Sequence, residues 1–386
     1  MEKQELRNDL ESGNDLGAPD GVLFNGLGPY QFDRAFVQDG IAYQIINVEP
    51  GKTYRLRVHN VGISTSLNFR IQNHNLVLVE TEGSYTVQQN YSNMDIHVGQ
   101  SYSFLVTMDQ NASSDYYIVA SPRFVNASAW TKAPGVAILH YSNSQGPASG
   151  PLPDPPNDYD TYFSMNQARS IRWNVSAGAA RPNPQGSFRY GDITVTDVYV
   201  IINRPAELID GKRRTTFMNR PAKVDTSLIN GTFKGFMEII FQNNDTSVQS
   251  YHLDGYAFFV VGMDMECGQR IAEAPITNGM GWLAALPRAL EKEDNFSFFI
   301  LVSLDNAGMW NLRTQNLDSW YLGQEVYVSV VNPENDNNEV QLPENAIYCG
   351  VLSNLQRDQA RRVNFSAAAS LDKCLRLFLL QLLQLY

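Results

Sequence analysis

Histidine and cysteine are scarce in this chain, which limits its metal chemistry. Among 386 residues there are five histidines and three cysteines. The histidines, His59, His74, His97, His140 and His252, are scattered and give no clustered imidazoles. Cys267, Cys349 and Cys374 contain no C-x-x-C pair, so the usual framework of a structural zinc site is missing; they permit one disulfide with a thiol left over. Basic clusters are nearly absent: the one run, "GKRR" at Gly211–Arg214, reads as the flank of a turn. With a net charge of -11, non-specific nucleic-acid binding is disfavoured, because a phosphate backbone demands a basic surface. No G-x-S-x-G, H-E-x-x-H or G-x-G-x-x-G occurs, and "GKT" at Gly51–Thr53 lacks the upstream glycine of a phosphate loop. The start, "MEKQELRNDLESGNDLG", has no apolar stretch of the kind a secretion signal needs. Near the other end, the Leu-rich run Leu375 to Tyr386 is too short to cross a bilayer as a helix.

What the chain does have is apolar and aromatic material in short runs. Hydrophobic residues make up 43%, charged residues 18%, and there are 19 Tyr and 19 Phe, the composition of a globular protein with a large core. From Gly21 to Tyr141, segments such as "AYQIINVEPGKTYRLRVHNVG" and "SYSFLVTMD" alternate in-out and are punctuated by turn residues, which predicts an all-β sandwich or barrel. "SNSQGPASGPLPDPPNDYD" follows as a Pro/Gly-rich linker, stiff enough to hold two domains apart. Beyond it "DITVTDVYVIIN", "FKGFMEIIFQN", "FSFFILVSLDN" and "EVYVSVVNP" are strands again. The expected division is a leading segment over 1–17, one sandwich over 18–142, a linker over 143–158, a second sandwich over 159–350 and a tail over 351–386. Two similar sandwiches suggest a repeated module, although no strict sequence period is found. Met265 to Glu293 abruptly loses strand character.

Eight N-x-S/T sequons, at Asn90, Asn111, Asn126, Asn174, Asn230, Asn244, Asn295 and Asn364, favour a secreted, surface-exposed protein. The charged start stands against that reading. Candidate chemistry concentrates in "QSYHLDGYAFFVVG", Gln249 to Gly262, where strand alternation puts His252, Asp254 and Tyr256 on one face. Such a face could hold zinc or copper weakly through His252 and Asp254, completed by Tyr256 or water. The competing reading is a His–Asp hydrogen bond with no metal. Glu80 and Glu82 fall on one face by alternation and read as a solvated surface pair.

Five stretches together resemble one family: "GAPDGVLFNG", "GKTYRLRVHNVGISTSLNFRIQNHNLVLVETEGSYT", "ARPNPQGSFRYG", "YHLDGYAFFVVGMD" and "SLDNAGMWNLRTQNLDSWYLGQEVYVSVVNPE". They are similar to the plant multicopper-oxidase-like proteins of the skewed-growth type, also called monocopper oxidase-like proteins or pollen-specific L-ascorbate oxidase homologues. The resemblance implies tandem cupredoxin-like Greek-key β-sandwiches, here the second and third domains without the first, with 1–17 a remnant of the preceding domain or linker. It implies a secreted ancestor, which reconciles the sequons with the missing signal.

In active relatives the pattern H-x-x-H-x-H supplies copper ligands, and this chain offers Gln249, His252 and Asp254 there. On the later H-C-H-x-x-x-H-x-x-x-x-M pattern it offers Arg313, Thr314 and Gln315, then Ser319 and Gln324, and the family fold makes Arg313 an alternative partner for Asp254, an ion pair in place of a metal. A guanidinium has no lone pair to give a metal and threonine lacks the thiolate, so the resemblance implies degenerate sites, no catalytic residues, and no cofactor, or copper if any. It further implies a non-catalytic extracellular glycoprotein of the cell wall or plasma membrane surface in directed cell expansion or pollen-tube growth. Its expected partner is wall carbohydrate or a wall protein. A copper oxidoreductase with residual activity and a truncated, non-functional product are the alternatives. In such relatives the place of Met265 to Glu293 is taken by a loop with a cysteine that pairs with the equivalent of Cys349, so the segment here reads as a local frameshift between 265 and 299. Some relatives end in a glycolipid-anchor signal, and a degraded one is the minority reading of the tail and the one membrane link considered; its short spacer and the interruption by Arg376 and two glutamines stand against it.

Overall fold

The computed structural model describes residues 3–14, 19, 21–28, 31–32, 35–36, 42–125, 134–171, 193–204, 207–209, 212–214, 227–243, 248–264, 277–279, 282–285 and 296–334. Helix α1 (Lys3–Ser12) comes first, followed by a minimal hairpin of β1 (Gln31–Phe32) and β2 (Ala35–Phe36). A first set of strands is β3 (Gln44–Val48), β4 (Thr53–His59), β5 (Ser66–Ile71), β6 (Leu76–Thr81), β7 (Ser84–Tyr91), β8 (Met94–Ile96), β9 (Ser101–Thr107), β10 (Tyr116–Arg123) and β11 (Gly135–Tyr141). They form two sheets, ordered β3-β11-β10-β5-β8 and β4-β9-β6-β7.

Helix α2 (Thr161–Ser170) precedes β12 (Asp197–Asn203) and a second hairpin, β13 (Glu207–Ile209) with β14 (Lys212–Arg214). The second set is β15 (Leu228–Thr232), β16 (Phe236–Asn243), β17 (Gln249–Leu253), β18 (Phe258–Asp264), β19 (Thr277–Gly279), β20 (Trp282–Ala285), β21 (Phe296–Ser303), β22 (Gly308–Thr314), the short helix α3 (Leu317–Tyr321) and β23 (Glu325–Val331). Its sheets run β15-β23-β22-β17-β20 and β12-β16-β21-β18-β19.

The architecture is all-β, two Greek-key sandwiches in tandem, and the second repeats the first strand for strand. β3 pairs parallel to β11 as β15 does to β23, and every other pairing matches down to β5·β8 and β17·β20. The one addition is β12, which lies parallel to β16 over seven residue pairs from Asp197↔Met237 to Asn203↔Asn243. The repeat that leaves no period in the sequence is therefore plain in the topology.

Alternation builds each core. β23 buries Val326, Val328 and Val330 and turns Glu325, Tyr327 and Ser329 outward. Ile239, Phe241, Phe258 and Val302, each at most 1% exposed, form the centre of the second core; Phe104, Leu76, Ile118 and Leu139 do so in the first. Each such side chain contributes about 1.5–3 kcal/mol by leaving water.

Two expectations need correction. The Pro/Gly-rich stretch is no free spacer, because it is tied along the first sandwich. Arg70 Nε donates to Pro153 O at 2.7 Å, Tyr117 Oη to Ala148 O at 3.0 Å, and Phe124 N to Asp158 O at 3.0 Å. Its end runs into α2, capped by Asp160 accepting from Phe163 N. That helix places Met165 in the second core, while Ile171 just beyond it enters the first. The buried Arg123, whose Nε lies 3.2 Å from Asp95 Oδ1, also donates to the backbone oxygens of Asn157 and Asp160 and to Ser164 Oγ. The second correction concerns Met265 to Glu293, where the loss of strand pattern does not mean loss of strands. β19 pairs with β18, and β20 pairs with β17, at opposite sheet edges. The rest of that segment, the three cysteines and the tail lie outside the described residues.

Candidate functional site

The residues singled out in Gln249 to Tyr256 and Arg313 to Gln324 meet at one end of the sheet β15-β23-β22-β17-β20. β17 and β22 are antiparallel neighbours, and their register sets Tyr251 opposite Thr314 and His252 opposite Arg313. Side chains therefore fall into two groups on opposite faces of the sheet.

On the half-exposed face, Asp254 sits between two cations or potential cations. His252 Nε2 lies 2.7 Å from Asp254 Oδ1, and Arg313 Nη1 lies 3.1 Å from Asp254 Oδ2. Burial pushes the Asp254 carboxyl up, but the hydrogen bond from His252 and the charge of Arg313 outweigh it and hold the group below the usual carboxylate range. Arg313 also donates to Asn311 Oδ1 at 3.0 Å and lies 5.0 Å from the Trp320 ring. Glu325 Oε2 fixes both neighbours, accepting from Asn311 Nδ2 and Trp320 Nε1 at 2.9 Å each. The two readings offered as alternatives, a His–Asp contact and an Asp–Arg ion pair, thus occur together on one carboxylate. Tyr256 does not join them. The chain turns at Asp254-Gly255, where Gly255 takes φ +76, and Tyr256 is carried into the core against Trp310 with its hydroxyl donating to Asn306 O.

The inward group is buried and internally bonded. Thr314, at 0% exposure, donates through Oγ1 to Gln249 Oε1 at 2.7 Å, and its backbone N–H reaches Gln324 O at 3.1 Å. Gln324 N in turn donates to the backbone oxygen of Ser319 at 3.0 Å, which ties the end of α3 back to the start of β23. Gln324 Nε2 donates to Asn203 Oδ1, whose own Nδ2 donates to Asn243 Oδ1 at 2.8 Å. Asn203 and Asn243 were not expected here; the signal for them is an Asn ending each of the apolar runs "YVIIN" and "IIFQN". Gln324 Oε1 and Gln315 Nε2 are buried with no hydrogen-bond partner among the described residues. Gln315 is held instead by its backbone N–H on Ser250 O, 2.7 Å.

This donor set does not fit copper. A blue-copper centre needs a thiolate and two imidazoles, and here a hydroxyl and a carboxamide close on each other where those donors would meet. On the other face the guanidinium of Arg313, which has no lone pair to give a metal, takes the place beside Asp254 that a cation would need. Among the described residues no three His, Cys, Asp or Glu side chains are grouped to hold a metal ion.

The other histidines serve the first sandwich. His74 Nε2 lies 2.7 Å from Tyr141 Oη, and burial holds its pKa down. His97, stacked on Phe124, is pushed down to about 4, chiefly by burial. Glu80 and Glu82 are not a solvated pair. Glu80 accepts from Arg55 and Ser103 Oγ, while Glu82, at φ +48, accepts from Ser101 N and is pushed by burial up to about 8. Of the sequons, Asn90, Asn111 and Asn230 are exposed, and Asn126, Asn174, Asn244, Asn295 and Asn364 lie outside the described residues or their described side chains.

Comparison with known proteins places these features. The multicopper oxidase family pattern matches residues 1–144 and again residues 202–336. The monocopper oxidase-like protein SKU5 of Arabidopsis thaliana is 58% identical over 95% of this chain and 67% of its own length. An L-ascorbate oxidase homologue of Brassica napus is 37% identical over 91% of the chain and 67% of its own length. The chain thus spans about two thirds of the relatives it matches. Among solved structures, the laccase from Botrytis aclada superposes with a TM-score of 0.63 at 17% identity, over 85% of this chain and 61% of that one. Fet3p gives a TM-score of 0.58, also at 17% identity, over 79% and 60%.

Proposed function

This chain belongs to the multicopper oxidase family, and from that premise we propose that it is a member without copper chemistry, working by binding. The observation that carries the reading is the Thr314–Gln249 hydrogen bond, a hydroxyl and an amide satisfied by each other where active relatives would need thiolate and imidazole. The Arg313–Asp254–His252 arrangement supports it, since an ion pair there leaves His252 as a lone imidazole donor.

The location proposed is extracellular, at the plant cell wall or the plasma membrane surface, as a glycoprotein in directed cell expansion or pollen-tube growth. Three exposed sequons favour that compartment. Wall carbohydrate is the proposed ligand, and the exposed aromatics Tyr159 and Tyr162 offer it a platform. They are 46% and 61% exposed and stand at the start of α2 on the tightly bonded end of the linker. Co-sedimentation of the glycosylated full chain with fractionated wall polysaccharides tests this. Retention that falls in the Tyr159→Ala/Tyr162→Ala variant is expected, and no retention on any fraction would overturn it.

A further inference from the structure

The duplicated topology exposes one difference that bears on partners. In the second sandwich β12 covers the outer edge of β16, and the inward residues of β16, Met237, Ile239 and Phe241, are at most 1% exposed. β4 is the equivalent strand of the first sandwich, paired to β9 as β16 is to β21. Among the described residues nothing pairs with its other edge, and its inward Tyr54, Leu56 and Val58 are only partly buried against the core. An uncovered row of backbone N–H and C=O groups over a half-covered apolar row is a template for one more strand.

The charge on β4 selects what that strand can be. Its outward residues are Thr53, Arg55, Arg57 and His59, all exposed. Arg55 shares Glu80, whereas Arg57 has no ion-pair partner among the described residues. A second copy is disfavoured, because antiparallel pairing of β4 with itself about Leu56 would set Arg55 against Arg57, and like charges directly opposed repel. In a chain of net charge -11 this basic row is a local exception. We propose that the free edge of β4 receives an extended acidic segment of another polypeptide. Its apolar residues would cover Tyr54, Leu56 and Val58, and its alternate Asp or Glu residues would stand beside Arg55 and Arg57.

The test uses the full chain with two seven-residue peptides, one alternating Glu with Val and one alternating Lys with Val, followed by anisotropy and by hydrogen exchange. The acidic peptide binds about tenfold more tightly than the basic one, as opposite-charge neighbours across a strand pair require, and amide exchange slows within Thr53–His59. Arg57→Gln narrows the preference and Arg57→Glu inverts it, with exchange in β16 unchanged as the sign that the fold is intact. No binding, binding without protection of β4, or a preference indifferent to residue 57 overturns the proposal.

Discussion

Arg123 offers the sharpest test of how the two sandwiches are joined. Its side chain is 0% exposed and that of Asp95 is 3% exposed, so the pair is sealed from solvent. Replacing Arg123 with alanine strands Asp95, which keeps hydrogen bonds from Asn68 Nδ2 at 2.7 Å and from Ser164 Oγ but loses the guanidinium 3.2 Å from its Oδ1. It also removes the donors to Asn157 O and Asp160 O at the root of α2. Breaking a buried pair by deleting one partner costs about 3–5 kcal/mol, because the remaining charge stays buried. That is a large part of a typical domain stability of about 5–15 kcal/mol. Arg123→Met combined with Asp95→Leu removes both charges and costs much less. Urea unfolding of the full chain reads the difference, and limited proteolysis within residues 146–160 reads whether the linker is released. A single Arg123→Ala variant that shifts stability by less than about 1 kcal/mol, with the linker no more readily cut, would refute the clamp.

Further outcomes follow from other sites. Glu82 has a folded pKa raised to about 8, so the stability tied to its neutral form is fully present below its unfolded value and lost as pH rises through about 8. Glu82→Gln should leave stability little changed at pH 3.5, below the unfolded carboxyl value, and raise it at pH 9 by on the order of 1–2 kcal/mol or more, measured by urea titration at the two pH values. Gly255→Ala demands a left-handed backbone from alanine and sets its Cβ 2.2 Å from Trp310 Cε3. A loss of about 2–3 kcal/mol in thermal or urea melts is expected. Gln249 and Thr314 touch, and with Ser319 and Gln324 they hold the positions that the family pattern gives to blue-copper ligands, so the combination Gln249→His, Thr314→Cys, Ser319→His and Gln324→Met should bind copper with an intense visible band. Thr314→Cys alone should not, and a colourless fourfold variant would show that the four positions do not face one centre.

Much of this was legible in the sequence, and the failures have local causes. β23 and β11 follow clean alternation, so strand assignment there needed nothing more. Glu80 and Glu82 escaped because the register shifts between Leu78 and Glu80, and Glu82 then sits in the following turn at positive φ, so period-two counting no longer tells in from out. Tyr256 escaped for a similar reason, as the count from His252 does not survive the turn at Gly255. The Pro-rich linker has the composition of a spacer, and what binds it down comes from distant strands, among them Arg70, Arg123, Tyr117 and Phe124. Asn203 and Asn243 meet only through the parallel pairing of β12 with β16, a contact that no spacing in the sequence announces. The spacing of Gln249, Thr314 and Gln324, by contrast, was readable because the family pattern fixes it.

The central claim is that the old ligand positions hold no copper, and the direct measurement is metal content with a visible spectrum on protein purified from its native tissue. Less than stoichiometric copper after dialysis and no intense blue band are expected. Stoichiometric copper with such a band would contradict the claim.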